Sequence, residues 1–397
     1  MLEKVGFAMK TPLRALTLFC GVLLLTFSFP AEATVTDEWG LITIPKGGAI
    51  KIGLGTTLSG AYAKLGLDIK NGVEMAVKDK GSILGFQIEL RVEDDQCEGA
   101  PSVAVAEKFG ADPGIVGVVG YMCSGGSIPA SDVHNKYKKV MISPSSTADA
   151  LTARGIPVVF RTAWNDKIQG KAAAEFALKT LKVKKAAVVH DKSAYGQGLA
   201  DEFRVHFEKG GGKTVAYEGI ARGEKDFTPV LAKIKPRAPE LIYFGGMAAE
   251  GALLVRQMKE VGLRSAFMSD DGCYDVKDFI EASGGAAEGS YVTFAKSPEG
   301  AKYAEWKKRY EAKYGPLGAF SAQGYDAAMI LLSAIEKVAK TKPDGSLLIG
   351  KKALADAVRT LKYEGVTGRL SFDHRGDVVG AIVVVNRVEG KRFVALK

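Results

Sequence analysis

Apolar and polar positions follow two different periods along most of this chain. Short runs of adjacent apolar residues, such as IVGVVGY at 115–121 and ELIYFGG at 240–246, are bounded by glycine or polar residues. Longer segments between them, such as GQGLADEFRVHFEKG at 196–210, carry apolar residues at every third or fourth position. The short runs predict strands buried on both faces of a parallel sheet, and the longer segments predict the helices that cover them.

These elements fall into two series. The first runs from the strand at Ile50 to the strand VMISPSS at 140–146, and the second runs from near Asp166 to the strand AFMSDDG at 266–272. We therefore predict an α/β protein with two doubly wound parallel-sheet lobes. In open sheets of this kind ligands bind beyond the carboxyl ends of the strands, so the site should lie in the cleft between the lobes.

The last third of the chain is mainly helical, with helices near 301–315, 321–340 and 351–361. Because these helices lack strands of their own, we expect them to return to the first lobe. The hairpin-like segment 368–396 is expected near the hinge or on the second lobe. The predicted domains are 49–165 with 295–372 for the N-terminal lobe, and 166–294 with 373–397 for the C-terminal lobe, joined by a hinge of several crossovers.

The N-terminus has the features of a secretory signal peptide. Lys4, Lys10 and Arg14 precede the apolar run ALTLFCGVLLLTFSF, and an Ala-x-Ala site ends at Ala33. We predict cleavage after Ala33, so that residues 1–33 are removed and the mature chain is exported. A membrane anchor is the alternative, but the apolar run is short for a bilayer span. A lipoprotein site at Cys20 is disfavoured by the bulky residue before it.

The basic charge does not indicate a nucleic-acid partner. The chain has 54 lysines and arginines against 45 aspartates and glutamates, a net charge of +9. The lysines are scattered beside acidic residues, as in EWKKRYEAKYG, and form no basic stripe interleaved with aromatic residues. A solvated surface explains this pattern better than a nucleic-acid interface.

Three cysteines remain after signal cleavage: Cys97, Cys123 and Cys273. Cys97 and Cys123 each follow a predicted strand, and neighbouring parallel strands would bring them side by side. In an oxidising compartment this pair is expected to form a disulfide. A nucleophilic role for Cys123 lacks a nearby candidate base. Cys273 is predicted to be buried or to line a site.

The segment CSGGS at 123–127 follows a strand and opens a helix, which is the arrangement of an anion cradle. A second small-hydroxyl cluster, SPSST at 143–147, ends the next strand of the same lobe, so Ser124 and Thr147 should reach one bound group. With no lysine or arginine among them, these donors suit a carboxylate better than a phosphate. Tyr195 and Asp271 end strands of the other lobe, where an acid would complement an amino acid zwitterion. Ordinary short strand-to-helix loops are the alternative.

Two other glycine-rich segments match known phosphate-binding or dinucleotide-binding motifs only in part. GGGKT at 210–214 lacks the earlier glycine of a phosphate loop, and GLGTTLSG at 53–60 does not have dinucleotide-binding spacing. The four histidines are dispersed, and RGD at 375–377 suits a turn. We therefore predict no cofactor, no metal site and no catalytic residues.

The chain resembles the periplasmic leucine/isoleucine/valine-binding proteins of ABC transporters over nearly all of the mature sequence. The segments that carry the resemblance are VEDDQCEGAPSVAVAEK, GYMCSGGSIPASD, SPSSTADALTARG, VVHDKSAYGQGLA, GIARGEKDFTPVLAKIK and GRLSFDHRGDV. It implies the type I periplasmic binding protein fold. It also implies a disulfide between Cys97 and Cys123.

The resemblance further implies a ligand site. The hydroxyls of Ser124 and Thr147 and backbone groups of Met122, Ser145 and Ser146 would hold the ligand's carboxylate and part of its ammonium. Tyr195 would close over the ligand as a lid.

Three positions depart from the family's pattern. Asp271, next to Gly272 in the predicted site, stands where the family carries the glutamate that receives the ammonium. Leu65 and Met247 stand where family members carry tyrosine. Because methionine is adaptable, we expect a roomier or more permissive side-chain pocket.

We predict a non-enzymatic, monomeric, periplasmic solute-binding protein. It would bind a branched-chain or related, mainly aliphatic amino acid and deliver it to an inner-membrane ABC permease and its ATPase. The alternatives are a ligand-sensing receptor or regulator on the same fold, a binder of an aromatic acid or an amide, and an exported enzyme that uses Cys123 or Cys273.

Overall fold

A computed structural model of the protein describes residues 36–396. The predicted signal peptide, its cleavage site and Cys20 lie outside the described residues. Within the described part of the chain, no helix has both the length and the apolar character needed to cross a bilayer.

The elements follow one another in this order along the chain: β1 Leu41–Ile44, β2 Ile50–Thr56, α1 Ala63–Lys80, β3 Ser82–Ile83, β4 Phe86–Asp94, α2 Gly99–Ala111, β5 Ile115–Gly120, α3 Ser124–Tyr137, β6 Val140–Ser143, β7 Val159–Arg161, α4 Asp166–Lys179, β8 Lys185–His190, α5 Ala194–Lys209, β9 Lys213–Gly219, α6 Thr228–Ile234, β10 Leu241–Gly245, α7 Ala248–Glu260, β11 Ala266–Ser269, β12 Tyr291–Ala295, α8 Ala301–Tyr314, α9 Ser321–Val338, β13 Lys340–Thr341, β14 Leu347–Gly350, α10 Lys351–Thr360, β15 Tyr363–Glu364, β16 Arg369–Leu370, β17 Val383–Glu389 and β18 Arg392–Ala395.

Six strands form the sheet of the first lobe, in the order β3-β4-β2-β5-β6-β7. All neighbours are parallel except β3, which pairs antiparallel with β4. The central strand β5 is buried at every position, as its unbroken apolar run predicts. The carboxyl ends of β5 and β6 therefore lie side by side at one edge of this sheet.

Seven strands form the sheet of the second lobe, in the order β18-β17-β12-β11-β10-β8-β9. The five strands from β9 to β12 are parallel, and β17 and β18 continue the sheet as an antiparallel hairpin. The C-terminal hairpin thus belongs to the second sheet, one of the two predicted positions. The predicted fold class, two α/β lobes with largely parallel sheets, is confirmed.

Helix α9 packs against elements of the first lobe. A Cβ added to Gly72 in α1 would lie 2.1 Å from the carbonyl oxygen of Ser321 at the start of α9. Leu331 of α9 covers Gly117 of β5, where an added Cβ would lie 2.8 Å from its Cδ1. The backbone contact at Gly72 needs glycine, and Gly117 leaves room for the Leu331 side chain, so the two glycines allow α9 to pack closely on α1 and on the first sheet.

Three chain segments connect the two lobes: β7 to α4, β12 to α8, and the segment between β16 and β17. The third segment runs along the other two. Its Gly376 carbonyl accepts from Arg161 N at 3.0 Å, and its Ile382 carbonyl accepts from Lys296 N at 2.8 Å. The crossovers are thereby held together as one hinge.

A small sheet of β1, β14 and β13 was not predicted from the sequence. Ile42 and Ile44 of β1 are buried, while the alternate residues of this strand are exposed. Each of the paired strands β1 and β14 has only four residues, which is too short for a clear periodic signal.

Cys97 and Cys123 form the predicted disulfide, with a Cα–Cα distance of 5.1 Å. The assumption that their strands are neighbours is wrong, because β2 lies between β4 and β5. The loop after β4 reaches across the end of β2, with Asp95 N donating to the Thr56 carbonyl at 3.1 Å. Asp95 then accepts from Met122 N at 3.0 Å, which brings the two cysteine loops together.

Removing this disulfide should lower the stability of the protein substantially. The bond closes a loop of 26 residues, so replacing both cysteines by serine should cost about 3 kcal/mol through the entropy of the unfolded chain. Denaturant unfolding with and without a reductant measures the loss. Without a reductant, the denatured mature wild-type protein should show one reactive thiol, from Cys273. A count of three thiols, together with an unfolding midpoint that is the same in the wild type and the double variant, would contradict the pairing.

Candidate functional site

A small cavity lies between the carboxyl edges of the two sheets, with an empty volume of about 370 Å³. Residues of both lobes line it: Leu65, Met122, Cys123, Ser124, Ser145 and Phe320 from the first, and Tyr195, Arg222, Met247, Asp271 and Gly272 from the second. Its position is the cleft that the two-lobed fold predicts.

The first group of donors is the N-terminus of α3. The helix begins at Ser124, directly after β5 and Cys123, and it is fourteen residues long. The Ser124 hydroxyl accepts weakly from Ala148 N at 3.3 Å, so its own proton stays available. Because the first N–H groups of a helix have no partner inside the helix, this end favours an anion.

The second group of donors is the loop after β6. Ser145 Oγ donates to the Met122 carbonyl at 2.8 Å, and Ser146 Oγ lies 2.6 Å from Ser127 Oγ. These bonds tie the loop to the tip of β5. Thr147 is fully buried, and its Oγ1 has no hydrogen-bond partner among the described residues. It also faces Asp166, where it acts as a donor that partly offsets the rise in the pKa of that carboxyl.

A buried arginine holds this loop in place. Arg161 Nη1 donates to the carbonyls of Ser146, Thr147 and Ala148 at 3.2, 2.7 and 2.8 Å. Its Nε pairs with Asp377 Oδ1 at 2.6 Å. These bonds fix the backbone of the loop 146–148 beside the cavity. RGD at 375–377 is a turn, as predicted, and its aspartate anchors Arg161.

The second lobe contributes Tyr195 and Asp271 from the ends of two strands. Tyr195 lies in the first turn of α5, and its hydroxyl accepts from Gly272 N at 2.9 Å. A Cβ added to Gly272 would lie 2.2 Å from the Gly246 carbonyl oxygen, so this close approach requires glycine. Asp270 holds the same loops, accepting from Gly246 N at 3.1 Å.

Three buried acids, Asp166, Asp270 and Asp271, lie close together on this side of the cavity. Asp271 Oδ1 and both carboxyl oxygens of Asp166 have no partner among the described residues. Burial raises the pKa of Asp271 to about 6. Burial, followed by the charge of Asp271, raises the pKa values of Asp166 and Asp270 well above their usual range. A cationic group in the cavity would stabilise the ionised forms of these acids.

The structure brings most of the predicted site residues together. Eight of them line the cavity: Leu65, Met122, Ser124, Ser145, Tyr195, Met247, Asp271 and Gly272. Ser146 and Thr147 lie buried directly beside it in the loop after β6. The N–H and carbonyl of Met122 are already bonded within the protein, to Asp95 and to the serine hydroxyls. Its side chain is therefore the part left for the cavity.

Sequence reasoning missed three residues of the site. Arg222 and Phe320 line the cavity, and Asp166 begins α4 beside it. Phe320 stacks on Trp164, with ring centroids 5.6 Å apart, so it belongs to the hinge as well. Asp166 directly follows Asn165, the N-cap residue of α4, and such a position more often indicates a helix start than a site.

Ligand affinity should fall in acid if an ammonium group binds at Asp271. The pKa of this carboxyl is about 6 in the empty cavity, and an ammonium favours the ionised form, so binding releases a proton as the pH drops below that value. Affinity should then decrease by up to about tenfold per pH unit below pH 6 and stay flat from pH 7 to 8. Calorimetry across this range in buffers of different ionisation enthalpy measures the proton release, and a flat profile down to pH 4.5 would contradict the contact.

Comparison with known proteins assigns the family. The model of the family described as "Periplasmic binding protein" matches residues 49–391. The leucine-, isoleucine-, valine-, threonine- and alanine-binding protein of Pseudomonas aeruginosa is 35% identical over 334 residues, which cover 83% of this chain and 87% of that protein. A Leu/Ile/Val-binding protein homolog of Brucella melitensis is 36% identical over 331 residues, which cover 81% and 89%.

Solved structures agree with these relatives. A leucine-binding protein of Thermotoga maritima superposes with a TM-score of 0.81 at 28% identity, covering 88% of this chain and 98% of that one. A branched-chain amino acid transporter substrate-binding protein of Streptococcus pneumoniae, in complex with isoleucine, gives 0.77 at 27% identity, covering 88% and 100%. The Pseudomonas relative is named as an amino acid-binding protein, and the Streptococcus structure as the substrate-binding protein of a transporter. The chain belongs to the periplasmic binding protein family.

Proposed function

We propose that this protein is the substrate-binding component of an ABC importer and that it binds a branched-chain or related α-amino acid in the cleft. The observation that carries the proposal is the pairing of two kinds of group across one cavity. Neutral donors at Ser124 and Ser145 line one side, and the partly unpartnered carboxylate of Asp271 lines the other. A zwitterion complements both sides at once.

The ligand's carboxylate would lie against the first lobe. The N-terminus of α3 and the hydroxyls of Ser124 and Thr147 would supply the donors there. Uncharged donors at a helix N-terminus stabilise a single negative charge without a neighbouring cation.

The ligand's ammonium would lie against the second lobe. Asp271 is one methylene shorter than the glutamate of similar proteins, and we propose that Asp166 supplies a second acceptor beside it. Both residues have buried, unpartnered carboxyl oxygens. Tyr195, which the Gly272 N–H holds at 2.9 Å, would cover the bound ligand.

Closure of the cleft would follow from this division of contacts. Because the ligand touches both lobes only when they are together, it binds the closed state more tightly and shifts the population towards it. In this view residues 49–165 with 295–372 move against residues 166–294 with 373–397. In this structure Lys64 of the first lobe lies 3.1 Å from Asp275 of the second, a contact that would hold the lobes together.

The remaining parts of the proposal concern location and partners. Export, with cleavage of the signal peptide after Ala33, would place a monomeric mature chain in the periplasm. The family name and the transporter relatives support that location and an inner-membrane permease with its ATPase as partners.

A thermal-shift screen over amino acids, aromatic acids and small amides tests this function. A ligand that binds only the folded protein raises the melting temperature, and at least one α-amino acid should do so. Ser124→Ala should weaken the binding of that amino acid by about 1–2 kcal/mol, because an oxygen of its carboxylate then lacks a donor. The matched control is Ser131→Ala, in the same helix, whose Oγ donates to the Ile128 carbonyl at 2.6 Å. A response only to acids without an ammonium group would contradict the proposal.

A further inference from the structure

The cavity contains one cationic side chain, Arg222, at a wall that is otherwise largely apolar. This residue follows β9 in the second lobe and lines the cavity together with Leu65 and Met247. Its Nη1 lies 3.7 Å from Cys97 Sγ, and its guanidinium lies 5.4 Å from the centre of the Tyr62 ring. It therefore reaches across the cleft to the disulfide and the start of α1.

The protein fixes the position of this guanidinium. Arg222 Nε donates to Asp191 Oδ2 at 2.8 Å, and the Asp191 side chain is fully buried. Asp191 Oδ1 in turn accepts from Ser193 N at 2.9 Å. An arginine anchored through Nε presents both of its Nη groups in one fixed plane.

The Nη groups are not used by the protein. Within residues 36–396 the Nη1 contact with a disulfide sulfur, a weak acceptor, is their one hydrogen-bond contact, and Nη2 has none. The Arg222 side chain is 22% exposed, so it is largely withdrawn from water. Donors that are desolvated and unpaired in this way favour an oxygen acceptor from a ligand.

The surrounding charges limit what that acceptor is. Asp191 already neutralises Arg222, and Glu250 lies nearby, 4% exposed, with its Oε1 accepting from Gly223 N at 2.9 Å. Two carboxylates around one guanidinium leave no excess positive charge for a ligand carboxylate. A neutral carbonyl oxygen fits these surroundings better.

We infer that Arg222 selects an amino acid whose side chain ends in a neutral carbonyl, as an amide does, over a purely aliphatic side chain of the same shape. This inference rests on the proposed function and narrows it. The head group would be held at Ser124, Thr147 and Asp271, and the amide oxygen would accept from the Nη groups of Arg222.

Two sets of matched ligands test the inference by calorimetry. Asparagine, aspartate and leucine share one side-chain shape, and glutamine, glutamate and homoleucine share a longer one. In at least one set the amide should bind at least about tenfold more tightly than its hydrocarbon counterpart, the gain expected from one charge-assisted hydrogen bond. The amide should also bind more tightly than the acid.

Variants of Arg222 test whether this residue causes the preference for amides over hydrocarbon side chains. Arg222→Leu should remove the amide's advantage and improve the hydrocarbon, and Arg222→Lys, which keeps the pairing with Asp191, should retain part of the advantage. Arg204→Leu is the matched control, since Arg204 also pairs with an aspartate and stacks on a tyrosine, at Asp201 and Tyr217, but away from the cavity. Affinity for the hydrocarbon ligands and the melting temperature show that each variant is folded.

The outcomes separate this inference from the function on which it rests. Tighter binding of leucine or homoleucine than of both polar ligands, with the same ratio in Arg222→Leu, would overturn the role of Arg222 and leave the proposed function standing. Preference for the acids would also overturn it. If no α-amino acid, these six included, bound to the folded wild-type protein, the proposed function itself would fail.

Discussion

Replacing Asp271 by asparagine should weaken amino acid binding by about 100-fold, or about 3 kcal/mol, while the protein stays folded. The carboxylate faces the cavity, and its Oδ1 has no partner among the described residues. An amide of the same shape keeps the packing but presents no charge to an ammonium. Titration calorimetry on the wild type and the variant measures the change.

The stability of the empty protein gives a second readout for this substitution. The pKa of Asp271 is raised by burial to about 6 in the folded state. A raised folded pKa means that the contribution of this group to stability is largest in acid and is lost as the pH rises through 6. At pH 7, without ligand, the Asp271→Asn variant should therefore be at least as stable as the wild type, although it binds the amino acid much more weakly. Asp226→Asn is the control, because Asp226 is an exposed acid that accepts from the Thr228 hydroxyl at 2.6 Å, away from the cavity. Unchanged affinity in Asp271→Asn would rule out the ammonium contact.

Replacing Arg161 by methionine should lower the stability by about 3–5 kcal/mol and greatly weaken ligand binding as well. The side chain is fully buried and pairs with Asp377 at 2.6 Å. Removing it leaves Asp377 without its charge partner and releases the three carbonyls of the loop 146–148. Denaturant unfolding and calorimetry on the same samples measure both losses.

A double-mutant cycle with Asp377→Asn isolates the ion pair. The double variant should lose much less than the sum of the two single losses, because neither charge is then left alone. Burial alone would raise the pKa of Asp377, but Arg161 and the neighbouring donors hold it below its usual range. The stability from this pair is therefore present above pH 4 and is lost as the pH falls through the lowered pKa. Arg369→Met, an exposed arginine 3.4 Å from Glu364, should change stability little. Additive losses in the cycle would contradict the pairing.

The hydrophobic pattern predicted the layers of the fold because each central strand is an unbroken apolar run. The runs at β5 and β10 are buried at every position, so their sequence and their environment agree. The hydrophobic pattern did not predict the order of the strands in the first sheet. Nothing local shows that β2 lies between β4 and β5, because β2 and β5 are both largely apolar runs and the alternating pattern of β4 does not identify its partner strand.

The sequence predicted those residues of the candidate site that directly follow a strand. Ser124 follows β5, and the serines of the next loop follow β6, so parallel pairing brings them together. Arg222 gave no such signal, because it stands in the charged segment ARGEKD, which is typical of a solvated loop. Arg161 had a signal that could have been used. A single charge within the apolar run VVFRT needs a buried partner, although the sequence does not show that the partner is Asp377, more than two hundred residues away.

The most direct measurement of the central claim compares one amino acid with two of its own analogues. Calorimetry on the mature protein would use the amino acid that gives the largest thermal shift, its analogue without the amino group, and its analogue with a carboxamide in place of the carboxylate. Each change should weaken binding by about 100-fold or more, because the donors at Ser124 and Thr147 and the acid at Asp271 each lose their partner. Binding of either analogue as tightly as the amino acid would show that the cleft does not grip both ends of a zwitterion.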